Sequence, residues 1–316
     1  MASHAEAGVR GAARRVGLWS GGRENMKWFT ALPTEDVHAV WSSQRPPRLH
    51  PALKRYPVKR LLLVLALLPS TALAAPLTQC GETVKIAELT ADLDCSTFDG
   101  PAVTLTGRAS LNLAGFTLTG SLKGAVACAG RCTISGGGSI VAPAGLDQNL
   151  NTAFAIASTE YGSGRLSLSG IAISGYSMLA TAARIDLSGV ALSASRGGIS
   201  AASIQAVDSS FTDCESPVSG IRATLTNVAI VNAGSGAVAA KRVVLSGTSI
   251  TQSDGFAVVG NRITAENSTL TDNCQAPSSS FCADIFTHAV APRLTDTICE
   301  TSLQPSGDSW HVCTLD

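Results

Sequence analysis

LSLSGIAI at 166–173, IDLSGVAL at 185–192 and IQAVDSSF at 204–211 are three settings of one octet. It continues as ATLTNVAI at 223–230, VVLSGTSI at 243–250 and ITAENSTL at 263–270. The starts at 166, 185, 204, 223, 243 and 263 are separated by 19, 19, 19, 20 and 20 positions. An earlier copy, LNLAGFTL, stands at 111–118, and a looser one with an extra glycine, CTISGGGSI, at 132–140. Self-similarity at a fixed short period marks a repeat architecture.

Within the octet, positions one, three and eight are apolar and position two is mostly polar. That is the period of a strand with one buried face. Position five is Gly115, Gly170, Gly189, Asp208, Asn227, Gly247 and Asn267, residue types that accept a left-handed or tight-turn backbone. The repeats are rich in Ser, Thr, Ile and Val, which favour strands over helix. Strand, one-residue corner, strand and a further short stretch stack best as rungs of a parallel β-helix, about 4.8 Å apart. No rung buries its inner face alone, so both ends of the stack need caps.

The residue before each octet forms a column of its own: Ser110, Arg131, Arg165, Arg184, Ser203, Arg222, Arg242 and Arg262. Alternation with the inward first position points this column outward. Six of the nine arginines after residue 75 fall in it. An arginine stripe of this kind suits carboxylates of an acidic polysaccharide, because guanidinium and carboxylate pair in bidentate fashion. The competing explanation is a repeated corner residue that hydrogen-bonds turn carbonyls and the outward neighbours Asp186 and Glu266. Tyr161 and Tyr176 are the aromatic side chains best placed to form a sugar platform, and each is equally suited to pack a loop onto the stack. The outward hydroxyls of Ser167, Ser169, Ser188, Thr224, Thr226, Ser246 and Thr264 read as a solvated strand face.

The formal net charge of zero conceals two halves. Residues 1–75 hold 11 Lys and Arg against 4 Asp and Glu, whereas 76–316 hold 12 against 19. Leu61 to Leu68 is an apolar run behind Lys59 and Arg60, followed by Ala72-Leu73-Ala74. A basic start, a short apolar stretch and an A-x-A site make a secretory signal peptide over 58–75, cleaved near Ala74. The run is too short to span a bilayer, which takes roughly 20 residues. Residues 1–57 are either the product of a reading frame opened too early or a disordered extension. The folded domain is expected over 76–316, exported to the periplasm or beyond.

Nine cysteines follow the cleavage site. In an oxidising compartment local pairs read as disulfides: Cys80–Cys95, Cys128–Cys132, Cys274–Cys282 and Cys299–Cys313. Cys214 is left over, with no His nearby to make it a catalytic thiol. Residues 77–110 read as an N-terminal cap leading into the first rung, 111–140 as the first two rungs, 141–165 and 271–292 as surface insertions, and the stretch after 299 as a C-terminal cap.

LTADLDC at 89–95, SLNLAGFTLTG at 110–120 and the closing ICETS and GDSWHVC at 298–302 and 307–313 resemble secreted bacterial right-handed parallel β-helix repeat proteins of the pectin-lyase-like superfamily. The likeness covers about 77–316 and implies an all-β, right-handed β-helix of about nine to ten rungs, capped and disulfide-tied. The superfamily hosts lyases, hydrolases, epimerases, adhesins and chains without activity, so the fold does not choose a function. Its paired-Asp and GHG motifs are absent here.

The acids Asp213 and Asp272 lie in a polar ladder with Asn232 and Gln252, three rungs or about 14 Å apart. This exceeds the roughly 6.5–9.5 Å of an inverting glycosidase pair. His288 and His311 stand alone, and neither metal-ligand spacing nor a nucleic-acid module is present. The sequence therefore predicts a non-catalytic exported scaffold, acting as a monomer, that contacts polysaccharide or another cell-envelope glycan without cofactor. The alternative is a polysaccharide lyase or glycoside hydrolase acting on an acidic polymer, with Asp147, Glu160 and Arg165 as its first candidates. Only the lyase would call for calcium.

Overall fold

The computed structural model describes residues 74–147, 153–158, 164–274 and 282–316. These residues form an all-β parallel solenoid of about ten turns with no helix. Each complete turn has three faces. The residue before the octet and octet positions one to four make the first, as in Arg165–Ser169. Positions seven, eight and the next residue make the second, as in Ala172–Ser174. A stretch such as Phe154–Ser158 makes the third.

Parallel pairing in register carries each column through the stack. On the third face Val103, Val126, Ile156, Ala180, Ile199, Val218, Val238, Val258 and Ile285 follow one another. All of them are buried. Leu168, Leu187, Ala206, Leu225, Leu245 and Ala265 form the corresponding inner column of the first face. Burying one Leu, Ile or Val side chain is worth about 1.5–3 kcal/mol, and these residues, interspersed with alanines, make up most of the narrow interior.

Two corners per turn hold the faces apart. The first is octet position five, where Asp208, Asn227 and Asn267 have φ of 50°, 53° and 49° beside the glycines of the other rungs. The second lies two residues past the octet, at Ala194, Asp213, Asn232, Gln252 and Asp272, with φ between 51° and 59°. Side chains brace both corners. The Asn227 amide donates to Asp208 Oδ1 at 3.0 Å and the Asn232 amide to Asp213 Oδ1 at 2.6 Å. The polar ladder is thus a corner device, because left-handed backbone favours Asn, Asp and Gly.

Position six also points inward. It is Ile171, Val190 and Val228 in some rungs but Ser209, Thr248 and Ser268 in others, all buried. The hydroxyls are satisfied locally. Ser209 Oγ donates to Val207 O at 2.8 Å and accepts from the Val190 N–H at 3.2 Å.

Three expectations need correction. The rungs begin before residue 111, since Glu82–Leu89 and Val103–Asn112 already pair. The region 141–165 contains the third-face strand Phe154–Ser158, which pairs with Val126 below and Met178 above. The region 271–292 likewise contains Ile285–Thr287, paired with Val258 and Ser302. Three- and five-residue strands show too little alternation to be picked out between loops.

Disulfides join Cys80 to Cys95, Cys128 to Cys132, Cys274 to Cys282 and Cys299 to Cys313. At the C-terminal end, Asp284 stands in the inner column that holds Ala237 and Ala257 in the rungs before it, and is buried. Its carboxylate accepts from the Asn273 amide at 2.8 Å and from the Glu300 and Thr301 N–H groups at 2.5 and 3.2 Å. Burial raises its pKa above the usual carboxylate range, and those hydrogen bonds offset part of the rise.

Candidate functional site

The arginine column exists as a ladder on the first face. Arg131 pairs in register with Arg165, and Arg165 with Arg184. Arg184 then pairs with Ser203, and Ser203 leads through Arg222 and Arg242 to Arg262. Every arginine in it is exposed. The flanking positions, such as Leu166, Ile185, Val243 and Ile263, are buried, so alternation alone turns the guanidiniums to solvent.

The ladder has one more arginine than the octets suggest. Arg108, not Ser110, is the partner of Arg131. Ala109 pairs with Cys132 and Leu118 with Ile140, so the first rung spends ten residues where Leu166–Ile173 spends eight. The surplus lies at its corner, where Ala114 and Gly115 both take positive φ. Counting back from the apolar residues before the corner, rather than from the corner itself, finds Arg108.

The arginines divide into two kinds. Arg165 Nε lies 2.9 Å from Asp186 Oδ2, and Arg184 Nε 2.9 Å from Asp186 Oδ1. One carboxylate therefore bridges two stacked cations and offsets half of their charge. These residues and Gln205 line a shallow depression of about 410 Å³. Among the described residues no carboxylate pairs with Arg222, Arg242 or Arg262. Those three lie on consecutive rungs with free guanidiniums at the ladder spacing of about 4.8 Å.

Tyr176 does not join them. It is fully buried, its hydroxyl donates to Val141 O at 3.3 Å, and burial raises its pKa. It cannot act as a sugar platform, and of the two roles open to it in the sequence the packing one is what the burial shows. Room for the ring comes from Gly120, where a Cβ would lie 1.8 Å from the Tyr176 oxygen. Tyr161 and Glu160 lie outside the described residues, as does any grouping of Asp147, Glu160 and Arg165. Asp147 itself is exposed.

A second concavity, of about 540 Å³, opens at the second corner and is lined by Ser195, Arg196, Asp213, Cys214, Glu215 and Asn232, among others. Its polar groups satisfy one another: Arg196 Nε lies 3.1 Å from Glu215 Oε2, and Asp213 receives the Asn232 amide. Cys214 is free and buried, and desolvation pushes its thiol up to about 11. A thiol held neutral is not a nucleophile.

His288 packs edge-on against Phe286, with ring centres 4.8 Å apart. His311 is exposed on a left-handed turn. Among the described residues no three His, Cys, Asp or Glu side chains converge as metal ligands. No described helix is long and apolar enough to cross a membrane. Comparison with protein-family models, with curated proteins and with solved structures finds no match to this chain.

Proposed function

We propose that this chain is an exported, non-catalytic scaffold that contacts an acidic carbohydrate of the cell envelope or its surroundings along its arginine ladder. One observation carries the reading: Arg222, Arg242 and Arg262 stand exposed on successive rungs without a carboxylate partner among the described residues. Stacked cations about 5 Å apart in water repel by roughly 0.8 kcal/mol. A corner device of the kind seen at Asp208 and Asn227 carries no such cost, so a ligand that supplies carboxylates accounts better for retaining charge here.

A polymer with one carboxylate per sugar presents anions at intervals close to the rung spacing. It meets the ladder as a line, with each guanidinium offering two N–H donors to one carboxylate. At Arg165 and Arg184 the shared Asp186 offsets one of the two charges, so the contact is strongest on the three consecutive rungs 222, 242 and 262, which have no such partner among the described residues. The surplus of acids over bases in 76–316 keeps the rest of the surface from attracting polyanions at large, and nucleic acid is not the expected partner.

Export rests on the leader read from Lys59 to Ala74 and on the resemblance to secreted bacterial β-helix proteins of the pectin-lyase-like superfamily. Four disulfides are compatible with an extracellular location. The test is a glycan-array screen of the purified protein at low and moderate salt, with unsaturated-uronate absorbance and reducing ends followed on every hit. Salt-sensitive binding to uronates without product supports the scaffold. Product formation, or no uronate binding, overturns it.

A further inference from the structure

The second face differs in kind from the arginine face. Its three-residue strands read TLT, SIV, AIS, ALS, SFT, AIV, SIT and TLT from Thr117–Thr119 up to Thr269–Thr271. The middle residue of each is buried, and the outer two are exposed or half-exposed. Every outward position is therefore Thr, Ser, Ala or Val. Charge, aromatic ring and planar amide are all missing from it.

These strands pair without a register break from Thr117 to Thr271. The two left-handed corners bracket them, at Asp208 and Asp213 around one strand and at Asn227 and Asn232 around the next. Strand length is thereby fixed at three residues in rung after rung. Two parallel columns result, with about 4.8 Å between rungs and about 6.6 Å between outward neighbours along a strand. The outcome is a regular two-dimensional array of methyl and hydroxyl groups.

We infer that this second face binds the surface of ice, through water ordered on its methyl–hydroxyl array. Water beside small apolar groups is restricted in orientation, and hydroxyls at fixed intervals anchor it by hydrogen bonds. A face of one pitch holds such water in a layer with one pitch, and about 4.8 Å by about 6.6 Å lies within roughly a tenth of the oxygen repeats of hexagonal ice. Charged groups would each orient their own hydration shell and break the layer. The neutral face thus complements a neutral lattice, whereas the neighbouring arginine face does not. A protein partner would want Trp, Tyr or Arg anchors, and a sugar chain would want aromatic rings or planar hydrogen-bonding groups. The array offers neither.

The inference stands on a different face from the proposed glycan contact, so each can fail without the other. The test is partition of the full-length protein into a slowly growing ice front, together with inhibition of ice recrystallisation. Wild type is expected in the ice fraction. Ala191→Lys with Ala229→Lys, at exposed outward positions in the middle of the array, is expected to lose that partition with melting unchanged. A single Ala229→Asp variant, read in the same way, covers the case in which two lysines disturb the stack. Arg222→Ala with Arg242→Ala is expected to partition as wild type does. Exclusion of wild type from ice overturns the inference, and so does undiminished partition of the folded face variants. Sedimentation with crystalline cellulose in the absence of ice partition also overturns it, assigning the array to a solid glycan instead.

Discussion

Arg165 and Arg184 stack in register on successive rungs and share one carboxylate, each with its Nε 2.9 Å from Asp186. This link decides which part of the ladder is open to an anionic ligand. Asp186→Ala frees both guanidiniums. Partly exposed ion pairs are worth about 1 kcal/mol or less each, so thermal unfolding should show only a small loss. Affinity for a uronate polymer should rise at low salt and return toward the wild-type value as salt screens the new charges. Unchanged affinity in a folded Asp186→Ala protein would mean that this end of the ladder does not meet the ligand.

Cys214 supplies a prediction about pH. Its thiol is raised to about 11 by burial, against an ordinary value near 8.5. The fold therefore holds the neutral thiol, while the unfolded chain ionises it at lower pH. The contribution is complete below the ordinary thiol pKa and is lost as pH rises through about 11, on the order of 3 kcal/mol in all. Denaturant unfolding between pH 7 and 11 should show this loss in wild type and not in Cys214→Ala. The native thiol should also resist alkylation at pH 8 until the chain is unfolded.

Asp284 organises the C-terminal end. Asp284→Ala suits the inner column sterically, since Ala237 and Ala257 occupy it below. It strands the Asn273 amide and two backbone N–H groups, at a cost of about 2–4 kcal/mol. Hydrogen exchange should locate the loss at 284–302. Because its folded pKa is raised, Asp284 contributes no acid lability. Its contribution is present below the ordinary carboxylate pKa and is lost as pH rises through the folded value. Asp316 behaves in the opposite sense. Burial alone would raise its pKa, but the hydrogen bonds from Ser302, Cys313 and Ser309 outweigh that and hold it low. Its contribution is present above the ordinary value and is lost as pH falls through the folded one.

Tyr176 and Gly120 are mutually dependent. Gly120→Ala places a methyl against the Tyr176 oxygen, and overpacking of this kind costs typically 1–3 kcal/mol. Tyr176→Phe removes the clashing oxygen, so the double variant should recover part of what Gly120→Ala loses. A strictly additive pair in urea unfolding would contradict this packing.

The rung period, the corners and the outward turn of Arg165, Arg184, Arg222, Arg242 and Arg262 were legible because alternation and left-handed residues recur in every octet. Arg108 was hidden by two surplus residues at its own corner. Tyr176 was misleading because an aromatic ring among loops looks available. Yet it stands three residues past Ile173, as Ser195 and Cys214 stand past Leu192 and Phe211, and that column is buried throughout. The strands Phe154–Ser158 and Ile285–Thr287 hold too few residues to announce a period. The neutral second face was in the sequence all along as TLT, SIT and SFT, but only pairing in register makes it an array.

The most direct test of the glycan contact is titration of a uronate polymer against wild type and against Arg222→Ala/Arg242→Ala/Arg262→Ala over a range of salt. Unfolding and product release should be measured on the same samples. The account predicts wild-type binding that weakens with salt, loss of that binding in the triple variant, unchanged melting and no product. Equal binding by the triple variant, its failure to fold, or release of unsaturated or reducing ends by wild type would contradict it.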